Sequence, residues 1–144
     1  MAGRTFALII TLLALLLTSP LPGFAQTVSV DGGYLDAGGK SSTAAALSLQ
    51  LFKTPVIPLT LEATGLVSLD GNGYAASADA RFRVSRTTLG AGVGIGNLSV
   101  TTRTNVLYEG ILAQSILPHV AVEARYYAGP NRGGSIFAGL RFSF

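Results

Sequence analysis

The sequence predicts an all-β fold: an up-and-down antiparallel transmembrane β-barrel of eight strands behind a cleaved signal peptide. Three observations carry that reading. Beyond residue 25, apolar and polar residues alternate with a period of two in runs of about ten, each closed by turn-forming residues. Every charge inside a run fits one parity, which leaves the other parity free of charge. No long helical period appears in the same stretch.

A chain of 144 residues allows one domain. Charged residues supply 12% of it, against about 25% in soluble domains. The mean hydropathy is +0.49. Part of this excess is an N-terminal leader. Met1 to Arg4 forms a short positive region, and Phe6 to Thr18 is an unbroken run of apolar residues and threonine. That run falls well short of the ~20 residues a spanning helix needs. Pro20, Pro22 and Gly23 then break any helix, and Gly23-Phe24-Ala25 ends in the small residues a signal peptidase accepts. The expected division is a signal peptide over 1–25 and a barrel over 26–144. Loss of Arg4 leaves nine basic residues against seven acidic ones. They are scattered, so no nucleic-acid footprint forms. With no cysteine, disulfides and thiolate metal sites are excluded. A closed barrel holds together instead through a continuous hydrogen-bond ladder.

The first run sets Val28, Val30, Gly32 and Tyr34 outward and Ser29, Asp31 and Gly33 inward. In the second, Leu47, Leu49 and Leu51 face out and Ser48 and Gln50 in. The third is the clearest, with Leu59, Leu61, Ala63, Gly65, Val67 and Leu69 against Thr60, Glu62, Thr64, Leu66 and Ser68. The fourth opposes Tyr74, Ala76, Ala78, Ala80, Phe82 and Val84 to Ala75, Ser77, Asp79, Arg81, Arg83 and Ser85. In the fifth, Leu89, Ala91, Val93 and Ile95 alternate with Gly90, Gly92, Gly94 and Gly96. The sixth, Val106 to Ile116, is apolar on both parities, and Glu109 alone indicates its inward face. The seventh sets Val120, Val122, Ala124 and Tyr126 against Ala121, Glu123, Arg125 and Tyr127. The eighth sets Ile136, Ala138, Leu140, Phe142 and Phe144 against Ser135, Phe137, Gly139, Arg141 and Ser143.

Asp31, Glu62, Asp79, Arg81, Arg83, Glu109, Glu123, Arg125 and Arg141 all fall on inward positions, and the remaining charges fall in turns or at strand ends. A lipid-facing Arg or Lys at mid-membrane costs ~2–4 kcal/mol, reason enough for such sorting. Asp36 to Lys40, Asp70 to Gly73 and Gly129 to Gly134 are rich in residues that accept left-handed backbone angles. Lys53 to Pro58 and Leu117 to His119 end strands with proline. Centring the third hairpin on Gly71-Asn72 sets Glu62 opposite Arg81, and centring it on Asn72-Gly73 sets Glu62 opposite Arg83. Centring on Asp70-Gly71 would oppose Glu62 to Asp79, a like-charge pair to be avoided. One of the first two registers is expected.

The final residues, Phe137 to Phe144, resemble the terminal-strand signal by which bacterial outer-membrane barrels are recognised for assembly. Gly139, Phe142 and Phe144 match it, while Phe137 stands where the pattern prefers a polar residue. The resemblance implies insertion into the bacterial outer membrane by the outer-membrane assembly machinery. As a whole the chain is similar to the small eight-stranded OmpA- and OmpX-type barrels, with shorter loops. By analogy both termini face the periplasm and the Gly-rich turns become external loops. Tyr34, Phe52, Tyr74, Tyr108, Tyr126 and Phe144 fall near strand ends, where girdle residues sit.

Candidate chemistry is sparse. His119 is the sole histidine and follows Pro118 at a turn, with no Ser or carboxylate at a spacing that would set it up for catalysis. One histidine and scattered carboxylates make no metal ligand set, and no cofactor is expected. Glu62, Asp79, Arg81, Arg83, Glu109, Glu123, Arg125 and Arg141 are read as a paired lumen network, since eight strands leave an interior that side chains fill. The alternating glycines of the fifth run are read as leaving room for Arg81, Arg83 or Tyr127. Ala63, Gly65, Ala76, Ala78, Ala80 and Ala91 would form a smooth outward patch, a candidate contact for another membrane protein or a second copy, because small residues allow close approach. The expected role is a non-enzymatic integral barrel, structural or accessory, as a subunit of a larger envelope complex. A small passive pore and a soluble periplasmic barrel binding an apolar ligand are the alternatives. In the second of these the charge-free parity would line a cavity.

Overall fold

The structure, a computed structural model, describes residues 27–71, 73–98, 103–129 and 132–144. The expected signal peptide over 1–25 lies outside the described residues. Eight strands follow in order: β1 (Val28–Ala37), β2 (Lys40–Lys53), β3 (Leu59–Ser68), β4 (Tyr74–Val84), β5 (Thr87–Asn97), β6 (Asn105–Leu117), β7 (Val120–Gly129) and β8 (Arg132–Ser143). Each pairs antiparallel with the next, and β8 pairs with β1 to close the barrel. Closure leaves no strand edge with unpaired backbone groups. The β1–β2 hairpin turns on Gly38 and Gly39, both with positive φ (64° and 80°). This is the backbone a two-residue hairpin turn requires.

The parity read from the sequence is the barrel's inside and outside. Asp31, Glu62, Asp79, Arg81, Glu109, Glu123, Arg125 and Arg141 are buried, while Val30, Leu61, Phe82, Leu89, Val93, Ile95, Leu112, Val122, Ile136 and Leu140 are exposed. The charge-free parity therefore coats the outside. In β6, Leu107, Glu109, Ile111 and Ala113 face in, and Val106, Tyr108, Gly110 and Leu112 face out. The orientation indicated by Glu109 is the one adopted.

Two departures from simple alternation shape the end that carries the termini. β2 bulges at Leu51, so that Gln50 pairs with Glu62 and Phe52 with Leu61. β6 bulges at Ile116, with Ser115 opposite Ala121 and Leu117 opposite Val120. A third register shift, between Tyr127 and Gly129, lies at the other end.

The β3–β4 register corrects the expectation. Val67 faces Tyr74 and Glu62 faces Asp79, so the hairpin is centred on Asp70-Gly71. Gly71 has φ of 76°, and its N–H donates to the Ser68 carbonyl at 3.1 Å. The like-charge pair is tolerated because Arg81 stands beside both carboxylates, as described below.

The fifth-strand glycines also have a different reason from the one expected. A Cβ on Gly92, Gly94 or Gly96 would collide with the carbonyl oxygens of Ala78, Ala76 and Tyr74 on β4, and one on Gly90 would meet Ala80 O at 3.0 Å. The glycines make room chiefly for the neighbouring backbone, with Arg81 Cγ close only to Gly90. The same holds where β8 meets β1: a Cβ on Gly33 would strike Ala138 O, and one on Gly139 would strike Gly32 O. These two seams are half the barrel apart, so the sheet bends sharply at two opposite corners.

The lumen is layered along the axis. Toward the β1–β2 and β3–β4 turns, Leu35, Leu66, Ala75, Leu107, Tyr127 and Phe137 pack into an apolar plug. The charged residues occupy the middle. Toward the termini the lumen opens into a cup. Outside, the four outward tyrosines, Tyr34, Tyr74, Tyr108 and Tyr126, ring the plug end, and Phe52, Phe82, Phe142 and Phe144 ring the cup end. Along β4 the two rings are ~26 Å apart at ~3.3 Å per residue. That is ~20 Å once the usual strand tilt is allowed for, close to the ~25 Å apolar band of such barrels.

Candidate functional site

Three arginines organise the lumen. Arg81, on β4, donates from Nε to Asp79 Oδ1 at 2.6 Å, and that nitrogen lies 3.1 Å from Glu62 Oε2. Its Nη1 donates to Glu123 Oε2 at 2.7 Å. One guanidinium thus bridges the Glu62–Asp79 pair that the register forces together, and Arg141 adds a second cation at Glu62. Arg125, on β7, donates from Nε to Glu123 and from Nη2 to Asp31, and Nη1 reaches Glu109 Oε1 at 3.4 Å. Arg141, on β8, donates from Nη2 to Glu62 Oε2 at 2.6 Å and to Ser29 Oγ at 3.0 Å. Its Nη1 donates to Glu123 Oε2 at 3.3 Å. Glu123 therefore touches all three arginines, and its carboxylate is fully buried. The planar fork of arginine suits this sharing, since five donors can serve several carboxylates at once.

The arrangement differs from the expected set in two residues. Arg83 stands outside it: exposed at the cup rim, it donates from Nε to the Ser85 carbonyl at 3.0 Å and from Nη2 to Ser115 Oγ at 3.4 Å. It is one step nearer the strand end than Arg81, and its side chain meets no carboxylate there. Asp31 is read from the sequence as inward but not as a network member, yet it is a full partner of Arg125. Parity places a residue on a face; only the closed ring pairs β1 with β8 and so sets Asp31 within reach of Arg125 on β7. Five carboxylates then meet three guanidiniums, and Asp31 Oδ1 and Glu109 Oε2 are left without a hydrogen-bond partner among the described residues.

The cup has a volume of about 480 Å³ and a floor of Glu62, Arg81, Glu123 and Arg141. His119 lies on its rim with φ of 68°, and its carbonyl accepts from the Ser143 N–H at 2.9 Å. The floor carboxylates are held by arginines, so neither is free to orient the imidazole as a catalytic partner would. No group of three or more His, Cys, Asp or Glu among the described residues is arranged to hold a metal ion.

The remaining singled-out residues lie elsewhere. Gly139 sits at the β8–β1 corner opposite Gly33, and Phe142 and Phe144 are exposed at the cup end. On the outer face Ala63 pairs with Ala78, Gly65 with Ala76, and Ala80 with Ala91, so the small residues form one contiguous area. It continues into a shallow groove bordered by Val93, Ile95 and Val106.

No protein-family model and no curated protein matches the sequence. Solved structures do match in fold. A de novo designed transmembrane β-barrel aligns with a TM-score of 0.56 at 15% identity, covering 83% of this chain and 94% of the design. Ail, the attachment invasion locus protein of Yersinia pestis, crystallised with the heparin analogue sucrose octasulfate, aligns at 0.54 and 15%, covering 83% and 97%. Neisserial surface protein A aligns at 0.51 and 14%, covering 83% and 96%. The fold is that of the small eight-stranded transmembrane barrels.

Proposed function

We propose that this protein is a non-enzymatic, non-conducting integral barrel of the bacterial outer membrane with a structural or accessory role in the envelope. The observation that carries the reading is the sorting of the surface. Large apolar side chains coat the outside between two aromatic rings, while eight charged residues are buried within. Such a belt is the reverse of a soluble domain and suits hydrocarbon. Resemblance in fold to Ail and to the Neisserial surface protein supports the location. A sealed lumen of ion pairs and an apolar plug supports a closed barrel over a passive pore. The two-residue connections β1–β2, β4–β5 and β6–β7 offer little protruding surface for a receptor.

The test is electrophoresis of the membrane fraction with and without boiling, followed by planar-bilayer recording. A heat-dependent mobility shift in the outer-membrane fraction and a silent bilayer are expected. Unshifted protein in the soluble extract would sink the membrane reading, and discrete conductance steps would sink the closed lumen.

The accessory role rests on the patch of Ala63, Gly65, Ala76, Ala78, Ala80 and Ala91, which would dock another membrane protein or a second copy. A flat run of small residues beside a groove permits close approach of a second surface. Ala78→Leu would fill its centre, and loss of a higher-mass band on native gels is expected. An unchanged band would remove the docking role.

A further inference from the structure

The cup at the termini end is built more deliberately than a solvent-filled barrel mouth requires. Two β-bulges and the two non-glycine residues with positive φ among the described residues, Ser85 at 56° and His119 at 68°, all lie at this end. Bulges re-aim side chains and gather near functional sites, as does backbone held in rarely populated regions. The β2 bulge has a specific effect. By simple alternation Lys53 would share the outward face of Leu47, Leu49 and Leu51; the extra residue pairs it with inward Thr60, and it lines the cup. Avoidance of lipid does not account for this, because a lysine near the membrane interface costs only ~0–1 kcal/mol and its long stem can carry the charge to water.

Lys53 and Arg83 both line this cavity, and neither meets a carboxylate among the described residues. The floor acids, Glu62 and Glu123, are occupied by Arg81, Arg125 and Arg141. Two cations with no direct carboxylate partner among the described residues thus face one cavity, whose volume of about 480 Å³ falls in the range of small-molecule sites. The rim beside them is apolar. Pro58, which closes the β2–β3 connection, and, across the mouth, Leu117 and Val120 line the cavity, and Leu117 is exposed. An apolar lip bordering a cationic cup selects for a molecule that has both characters.

We propose that the cup binds an anionic amphiphile, with a carboxylate or phosphate head between Lys53 and Arg83 and an apolar tail against Leu117, Val120 and Pro58. Ser115 and Thr60 supply hydroxyls beside the head. The head group comes either from a membrane lipid or from a soluble acid, and the chemistry of recognition is the same.

The experiment uses the folded barrel in phosphatidylcholine nanodiscs, observed by amide NMR during titration with octanoate and octyl phosphate. Octanol and inorganic phosphate serve as the tail-only and head-only probes. Saturable shifts at Thr60, Ser115 and Leu117 are expected for both octyl anions. Lys53→Gln with Arg83→Gln should weaken them by roughly tenfold or more, the loss expected when charge-assisted hydrogen bonds go, while the heat-dependent mobility shift shows the variant still folds. Discs containing phosphatidylglycerol that show the same shifts unaided assign the head to the membrane; discs that do not assign it to a soluble amphiphile. The proposal fails if octanol matches octanoate, if inorganic phosphate binds as tightly as octyl phosphate, if the shifts fall on lipid-facing strands instead, or if the double variant binds undiminished.

Discussion

Arg125 and Glu109 show how unequal single residues are inside a sealed lumen. Among the described residues Arg125 is the sole guanidinium touching Asp31 and Glu109, and it also holds Glu123. Removing its charge leaves two buried carboxylates with no cation, and breaking a buried pair in that way costs about 3–5 kcal/mol. Arg125→Gln should therefore lower the urea midpoint of unfolding, followed by loss of the fast-migrating band, by that equivalent. Glu109→Gln should be nearly neutral. Its contact to Arg125 is long at 3.4 Å, one of its oxygens is unpartnered, and an amide there can donate to Tyr127, whose hydroxyl is also unpartnered. A Glu109→Gln loss as large as that of Arg125→Gln would show that the negative charge, not the space, is what Arg125 needs from β6.

At the level of elements, the β3–β4 hairpin is instructive because its register violates a pairing preference. Direct opposition of Glu62 and Asp79 is unfavourable taken as a pair. The alternative registers would satisfy the pair but shift every neighbour of β4 by one or two steps of the turn. They would also move Arg81 away from Glu123, 42 residues on in the chain. The pair is thus sustained by a third residue, which makes a double-mutant prediction. Arg81→Gln should destabilise by about 3 kcal/mol or more. Adding Asp79→Asn should recover at least ~1 kcal/mol of it, since the two act in one network. Strict additivity in a urea-unfolding cycle would mean that the repulsion is screened by something other than Arg81. Gly92 and Gly94 belong to this scale too: a Cβ on either would collide with the β4 backbone and with the Cβ of Asp79 or Ser77 beside it.

Across the whole molecule the layers are polarised. The plug end carries the outward tyrosines and the cup end the outward phenylalanines, with the ion network between them. Tyrosine hydroxyls suit a headgroup region, where one end of the ring is wet. Because the chain has no tryptophan, its native emission comes from tyrosine, four of the five lying in that one ring. Brominated lipids labelled near the headgroup should then quench the emission more than lipids labelled at the chain ends. The opposite order would place the ring in the bilayer interior and disprove the girdle.

Parity, strand number and the inward placing of the charges were legible in the sequence because they follow from local geometry. Successive side chains on a strand must face opposite ways, and a charge facing lipid is costly enough to sort nine positions without knowledge of their neighbours. Glu109 oriented β6 by the same logic, even with both faces apolar. The network's wiring was not legible. Whether Glu62 meets Asp79 or Arg81, whether Asp31 belongs with Arg125, and whether Arg83 is excluded depend on register and on which strands closure makes neighbours. Lys53 was hidden for a related reason: one bulged residue reverses the parity of everything beyond it, and no side-chain pattern announces the bulge. The alternation determined that this chain closes around its charges. Only the tertiary structure decided which charges meet and which are left facing the cup, because those are set by contacts between residues far apart in the chain.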